Sequence, residues 1–242
     1  MPSQLKAIVE CLDSGARAGL ARIELPAYDG TLTWDLSPTD ATTRPRKSNV
    51  IFVLATEAPA SAVAERVALH RDAGHTAIGA SVARPDDGEI APMDNVARLS
   101  PGAWQDDIRM LLASVTATFC EGQPDVVVCI DWGDVSDLLD LPGELIIEWS
   151  LQANAIAFRS VFARVKARLR GRKCRGMLCL LSGGRHRWFK ELRLALRMCR
   201  AVLAEGGMLL GGDSLAPFGG NPGCCLLAVV DEGLPETPVH AT

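Results

Sequence analysis

The sequence predicts an α/β fold of the Rossmann-like, doubly wound kind, with a mostly parallel sheet and helices on both faces. Three observations predict it. Short apolar, β-branched runs alternate with segments of helical periodicity along most of the 242 residues. The clearest run is apolar throughout, as strands buried on both faces of a parallel sheet are. Polar residues follow the runs, where the carboxyl ends of parallel strands line a ligand crevice.

The elements follow in order. Residues 4–21 carry weak helical periodicity and Ile23–Trp34 reads as extended. Ser37–Ser48, with Pro38, Asp40, Thr42, Thr43 and Pro45, is the best linker candidate. Residues 1–48 are therefore expected to be an N-terminal extension and linker, ahead of an α/β domain over 49–242. That domain opens on a βαβ unit: strand Val50–Ala55, helix Ala62–Ala73 stopped by Gly74, and strand Thr76–Val82. A loop through Pro92–Pro101 leads to a helix near Trp104–Phe119, and Pro124–Asp131, PDVVVCID, reads as the best buried strand. Ala153–Arg170 is an amphipathic helix with Phe158, Phe162, Val165 and Leu169 inward, and Met177–Leu181 is a strand. Lys190–Ala204 is a helix whose solvent side carries Lys190, Arg193, Arg197 and Arg200 in one stripe. Met208–Leu210 then leads to Asp213, and Cys224–Val230 is the last strand.

Composition bounds the function. A chain that is 48% hydrophobic and of this length buries one substantial core. The eight cysteines form no C-x-x-C pair, and several lie in apolar runs, which points to reduced core thiols and away from a disulfide framework or a zinc site. No apolar run approaches a membrane span, and the first residues lack a secretory apolar stretch, so a cytoplasmic location is expected. Net charge is −4, yet 14 of the 25 Lys and Arg residues fall between Arg159 and Arg200, where Glu191 is the only acid. That segment carries +13 and the remainder −17. Such a zone is either a solvated basic face or an attractor of phosphate backbones and acidic proteins.

The polar residues after the strands are Thr56 and Glu57, Arg84, Asp131 with Trp132, Ser182 to His186, and Asp213 with Ser214. Asp131 either accepts hydrogen bonds from a ribose diol, with Trp132 stacking on an adenine, or caps the next turn. Gly183–Arg187 combines flexible backbone with three side chains able to carry positive charge, an anion-binding look shared with simple turns. No G-x-G-x-x-G follows any predicted strand, which argues against a nicotinamide-dependent oxidoreductase.

CIDWGD at Cys129–Asp134, ELRLAL at Glu191–Leu196 and EGGMLLGGDS at Glu205–Ser214 together resemble class I S-adenosylmethionine-dependent methyltransferases of the methyltransferase domain 24 type. The resemblance covers roughly residues 125–215. It implies S-adenosylmethionine as cofactor, bound by Asp131 and Trp132 with help from Glu57 and Ser182. It also implies His186 and Asp213 as catalytic residues for methyl transfer to an oxygen or nitrogen nucleophile. Gly183 and Arg185 stand where the family has acids and Ser214 where it has a second acid, so no metal site is expected; no glycine lies in Ile51–Ala64, where the family's loop lets the backbone approach the cofactor. Those replacements, with the local +13, frame a second expectation: a non-catalytic methyltransferase-like subunit that binds RNA or an acidic protein through Lys190, Arg193, Arg197 and Arg200.

Overall fold

A computed structural model describes residues 5–25, 32–36, 49–82, 93–116, 130–152, 154–182, 188–213 and 223–231. In chain order the elements are β1 (Leu5–Cys11), α1 (Ser14–Leu20), β2 (Leu32–Asp35), β3 (Asn49–Ala55), α2 (Ala60–Asp72), β4 (Thr76–Val82), β5 (Val96–Leu99) and α3 (Trp104–Thr116). They continue with α4 (Trp132–Leu139), β6 (Glu144–Ser150), α5 (Ala155–Leu169), β7 (Cys174–Ser182), α6 (Trp188–Arg200), β8 (Leu203–Asp213) and β9 (Gly223–Val230). The strands form one nine-stranded sheet in the order β2-β1-β3-β4-β5-β6-β9-β7-β8. All neighbours are parallel except β9, which runs antiparallel between β6 and β7.

Burial of both faces explains the apolar runs. Alternate residues such as Val50, Phe52 and Leu54 face α1, α3 and α4 in one core, which continues across the sheet to Leu178 and Leu227. Ile51, Val53 and Val96 face α2 on the other side. On that same side Met177, Cys179 and Leu226 face α5 and α6. The result is the doubly wound α/β arrangement that the alternation of elements predicts.

Residues 1–48 are not a separate extension where they are described. β1 pairs with β3 over six residues and with β2 over four, so this stretch supplies strands of the same sheet. The helical periodicity over 4–21 resolves into a strand followed by a short helix: Ala7, Ile8 and Val9 are all buried, which a strand covered on both faces requires. The loop expected through Pro92–Pro101 contains β5, and α6 stops at Arg200, so Leu203 and Ala204 belong to β8. Of the strand expected over Pro124–Asp131, residues 124–129 lie outside the described residues. Asp131 itself is the N-cap of α4, its side chain accepting from the Asp134 amide at 2.9 Å.

The two halves of the sheet meet at a thin seam. β5 and β6 share a single register pair, Ala97 with Leu145. Beyond it Arg168 reaches down from α5 and donates to the carbonyls of Arg98 at 3.1 Å and Ile147 at 3.3 Å, one on each strand. A guanidinium with its five donors suits this task, because diverging strands leave carbonyls without ladder partners.

Candidate functional site

The switch point of this sheet lies between β1 and β3, since the chain leaves β1 toward β2 on one side while β3 lies on the other. Ligands of open α/β folds bind outside the carboxyl ends of strands at such a point. Here it is filled from within. Asp13 ends the turn after β1 and caps α1, taking the Ala16 amide at 2.7 Å. Its carboxylate also accepts the amides of Thr56, Glu57 and Ala58 at 2.9, 2.8 and 3.0 Å, and the Thr56 hydroxyl at 2.9 Å. Burial pushes the Asp13 carboxyl up, but the amides of Ala16, Ala58, Glu57 and Thr56 outweigh it and hold the group well below the usual carboxylate range. The two turns approach so closely that a Cβ on Gly15 would stand 2.3 Å from the Thr56 hydroxyl oxygen, which only glycine avoids.

The expected site residues separate into groups. Glu57 is exposed in the turn after β3, and its backbone amide is engaged by Asp13. Ser182 ends β7, and Asp213 pairs through its backbone with the preceding Leu181. Glu57 and Ser182 stand five strand spacings apart, about 24 Å. Asp131 and Trp132 begin α4, whose far end is fixed at the amino-terminal edge of the sheet. There Leu138 and Leu141 meet Gly176 near the start of β7, and Arg71 holds the Leu139 and Asp140 carbonyls. Trp132 packs partly buried against the main core. His186, with the rest of Gly183–Arg187, lies outside the described residues, as do Arg84 and Ser214.

Ser182 lines a cleft of about 400 Å³, open mouth included, between α5 and α6. Asn154 and Glu191 supply its other polar groups over Phe158, Leu181 and Leu194. Asn154 is committed to capping α5 through the Ala157 amide at 2.8 Å.

The basic segment is paired with acids only in part, and Arg159, Lys166 and Lys173 are exposed with no ion pair among the described residues. Arg164 and Arg168 pair with Glu148, Arg172 pairs with Glu144 at 2.8 Å, and Arg175 with Asp231 at 2.9 Å. These cations staple α5 and β7 to the sheet. By contrast Lys190, Arg193, Arg197 and Arg200 are exposed on α6, and none makes an ion pair among the described residues.

Two constellations escaped the sequence reading. Asp13 was hidden because β1 was read as helix, although Asp-Ser-Gly after an apolar run marks a strand end and a helix cap. The other is buried beneath α2, where Glu10 accepts from Arg66 at 2.8 Å and meets His70 Nε2 at 2.8 Å, while His70 Nδ1 has no hydrogen-bond partner. It joins β1 to α2 in the core and does not open onto the carboxyl edge.

No family model matches the chain, and no curated protein matches it. Among solved structures the fold is similar to the W319Y mutant of FtsZ from M. jannaschii, with a TM-score of 0.57 and 10% identity, covering 95% of this chain and 92% of that one. An empty FtsZ dimer from M. jannaschii gives a TM-score of 0.54 at 11% identity, covering 81% of this chain and 70% of that one. At such identities the likeness establishes an α/β fold of this type and nothing finer.

Proposed function

We propose that this chain is a non-catalytic α/β module that docks onto an acidic partner through the stripe Lys190, Arg193, Arg197 and Arg200. The observation that carries this reading is the contrast within the basic segment: Arg164, Arg168, Arg172 and Arg175 have carboxylate partners, and the α6 stripe has none among the described residues. Unpaired like charges on one helix face repel one another and gain most from an external anion. Two features support the non-catalytic part. Asp13 already satisfies the amides of the switch point, and the residues expected to hold S-adenosylmethionine are spread over opposite parts of the sheet.

The test is binding of poly-L-glutamate and of a single-stranded RNA oligonucleotide by wild type and by a variant with Arg193, Arg197 and Arg200 changed to Ala. Wild type is expected to bind polyanion in a salt-sensitive way, and the variant about tenfold more weakly. Equal binding by both proteins, or binding indifferent to salt, refutes the docking reading.

A second reading, methyl transfer from S-adenosylmethionine to an oxygen or nitrogen nucleophile, is favoured by one observation. Ser182, expected at the cofactor, lines the cleft between α5 and α6. Calorimetric titration with S-adenosylmethionine decides it: saturable heat that disappears in Ser182→Trp would favour an enzyme, and no heat leaves the module.

A further inference from the structure

The stripe on α6 has a neighbour that no described strand covers. β8 is the outermost of the described strands at its end of the sheet, so one side of its backbone has no ladder partner among the described residues. After an irregular start, it pairs regularly with β7 from Met208 opposite Gly176 to Asp213 opposite Leu181. That is about 20 Å of straight edge. Natural edges are blunted by shortness, lysine, proline or a bulge. The opposite edge strand, β2, has only four residues, and its Asp35 is tied by Lys6. Met208–Gly212 carries no charge and no proline; Met208–Gly211 are partly exposed and Gly212 is buried.

The helix contacts show which way the stripe faces. Leu196 packs over β8 so tightly that a Cβ on Gly211 would stand 2.4 Å from its Cδ2. On the other flank of α6, Glu191 and Leu194 line the cleft shared with α5. Arg193 and Arg200 lie three residues before and four after Leu196, hence on its side of the helix, whereas Lys190 and Arg197 lie four before and three after Leu194, toward the cleft. Arg193 and Arg200 are about 10 Å apart along the helix, within the length of the β8 edge. A second copy pairing through β8 would set two such stripes side by side on one face, which like-charge repulsion opposes.

We infer that the outer edge of β8 accepts an extended acidic segment of a partner protein as an added strand, its acidic side chains on the α6 face meeting Arg193 and Arg200. The inference deepens the docking reading above and rests on it. Backbone hydrogen bonds along the edge supply affinity, and every second side chain supplies specificity.

The test uses the full chain and two synthetic octapeptides of equal charge, one alternating Glu and Val and one alternating Glu and Pro. Proline lacks the amide and the conformation that strand addition needs. The Glu-Val peptide is expected to bind, to slow hydrogen exchange at alternate amides of Met208–Gly212, and to lose about tenfold in affinity in the Arg193, Arg197 and Arg200 to Ala variant. The Glu-Pro peptide is expected to bind about tenfold more weakly. Equal binding of the two peptides overturns strand addition and leaves docking on α6 intact. So does a free protein in which all Met208–Gly212 amides already exchange as slowly as those of β7. Dimerisation that protects the same amides assigns the edge to a second copy, and RNA bound in preference to either peptide assigns the stripe to nucleic acid; each overturns the inference. If no polyanion binds, or the variant matches wild type for all of them, the docking reading falls with it.

Discussion

Asp13 concentrates more hydrogen bonds than any other acid among the described residues, and its replacement tests the switch point directly. Asp13→Ala removes the cap of α1 and strands the Thr56, Glu57 and Ala58 amides; a loss of about 2 kcal/mol is expected in chemical denaturation. The pH dependence has a definite sign. Because the folded carboxyl titrates below its unfolded value, its contribution is present in full above the ordinary aspartate range and is lost as pH falls toward the folded value. Wild type should therefore lose more stability between pH 5 and pH 2 than Asp13→Asn, and parallel curves would refute this. The cysteines make a second case. Burial pushes Cys174 and Cys225 up to about 12 and Cys224 up to about 11, while Cys179, hydrogen-bonded to Cys199 and fully buried, is raised as well. Iodoacetamide at pH 8 should leave all four unmodified in the native protein and alkylate them in denaturant. The reduced, core character of these thiols was legible from their apolar neighbours. The partners of Asp13 were not, because they come from a turn far along the chain.

At the level of elements, the seam between β5 and β6 is the place where one side chain substitutes for a ladder. Arg168→Ala should lower stability by about 1–2 kcal/mol, since two part-buried carbonyls lose a charged donor. Hydrogen exchange should rise first in β5 and β6, and a uniform rise across the sheet would count against a local seam. These two strands were also the hardest to read. β5 has only four residues and carries Arg98, and β6 begins at Glu144 and contains Glu148, whose charges leave only a three-residue apolar run between them. Glu148 pairs with Arg164 and Arg168 of α5 and Glu144 with Arg172 in the turn after it, a tertiary reason that no local pattern displays. The strands β3, β4 and β9 were visible as uninterrupted apolar runs, and the amphipathic α5 and α6 because their apolar residues repeat at helical spacing. β1 was missed for the opposite reason: a strand buried on both faces running into a short helix imitates a helical pattern across their junction.

For the whole molecule, the sequence shows where cations are abundant, and folding decides which remain available. The α6 variant with Arg193, Arg197 and Arg200 changed to Ala should keep its melting temperature within about 2 °C of wild type, as exposed unpaired charges contribute little to stability. Arg172→Ala, which leaves Glu144 half-buried without its partner, should melt several degrees lower, about 1–2 kcal/mol. A reversed order would mean that α6, not α5, carries the structural arginines. The α/β class with its mostly parallel sheet was legible; the place of residues 5–35 in that sheet and the distances between strand ends were not, because both depend on strand order, and strand order is invisible to motifs.

The position of β9 bears on how such a chain is made. Last in chain order among the described strands, β9 slots between β6 and β7, which have no direct pairing with each other. While Gly223–Val230 is still within the ribosome, the emerged chain holds two apolar strands with facing edges open, and pairing that spans so much sequence is slow. Until this strand arrives, the two open edges are exposed to pairing with a neighbouring chain.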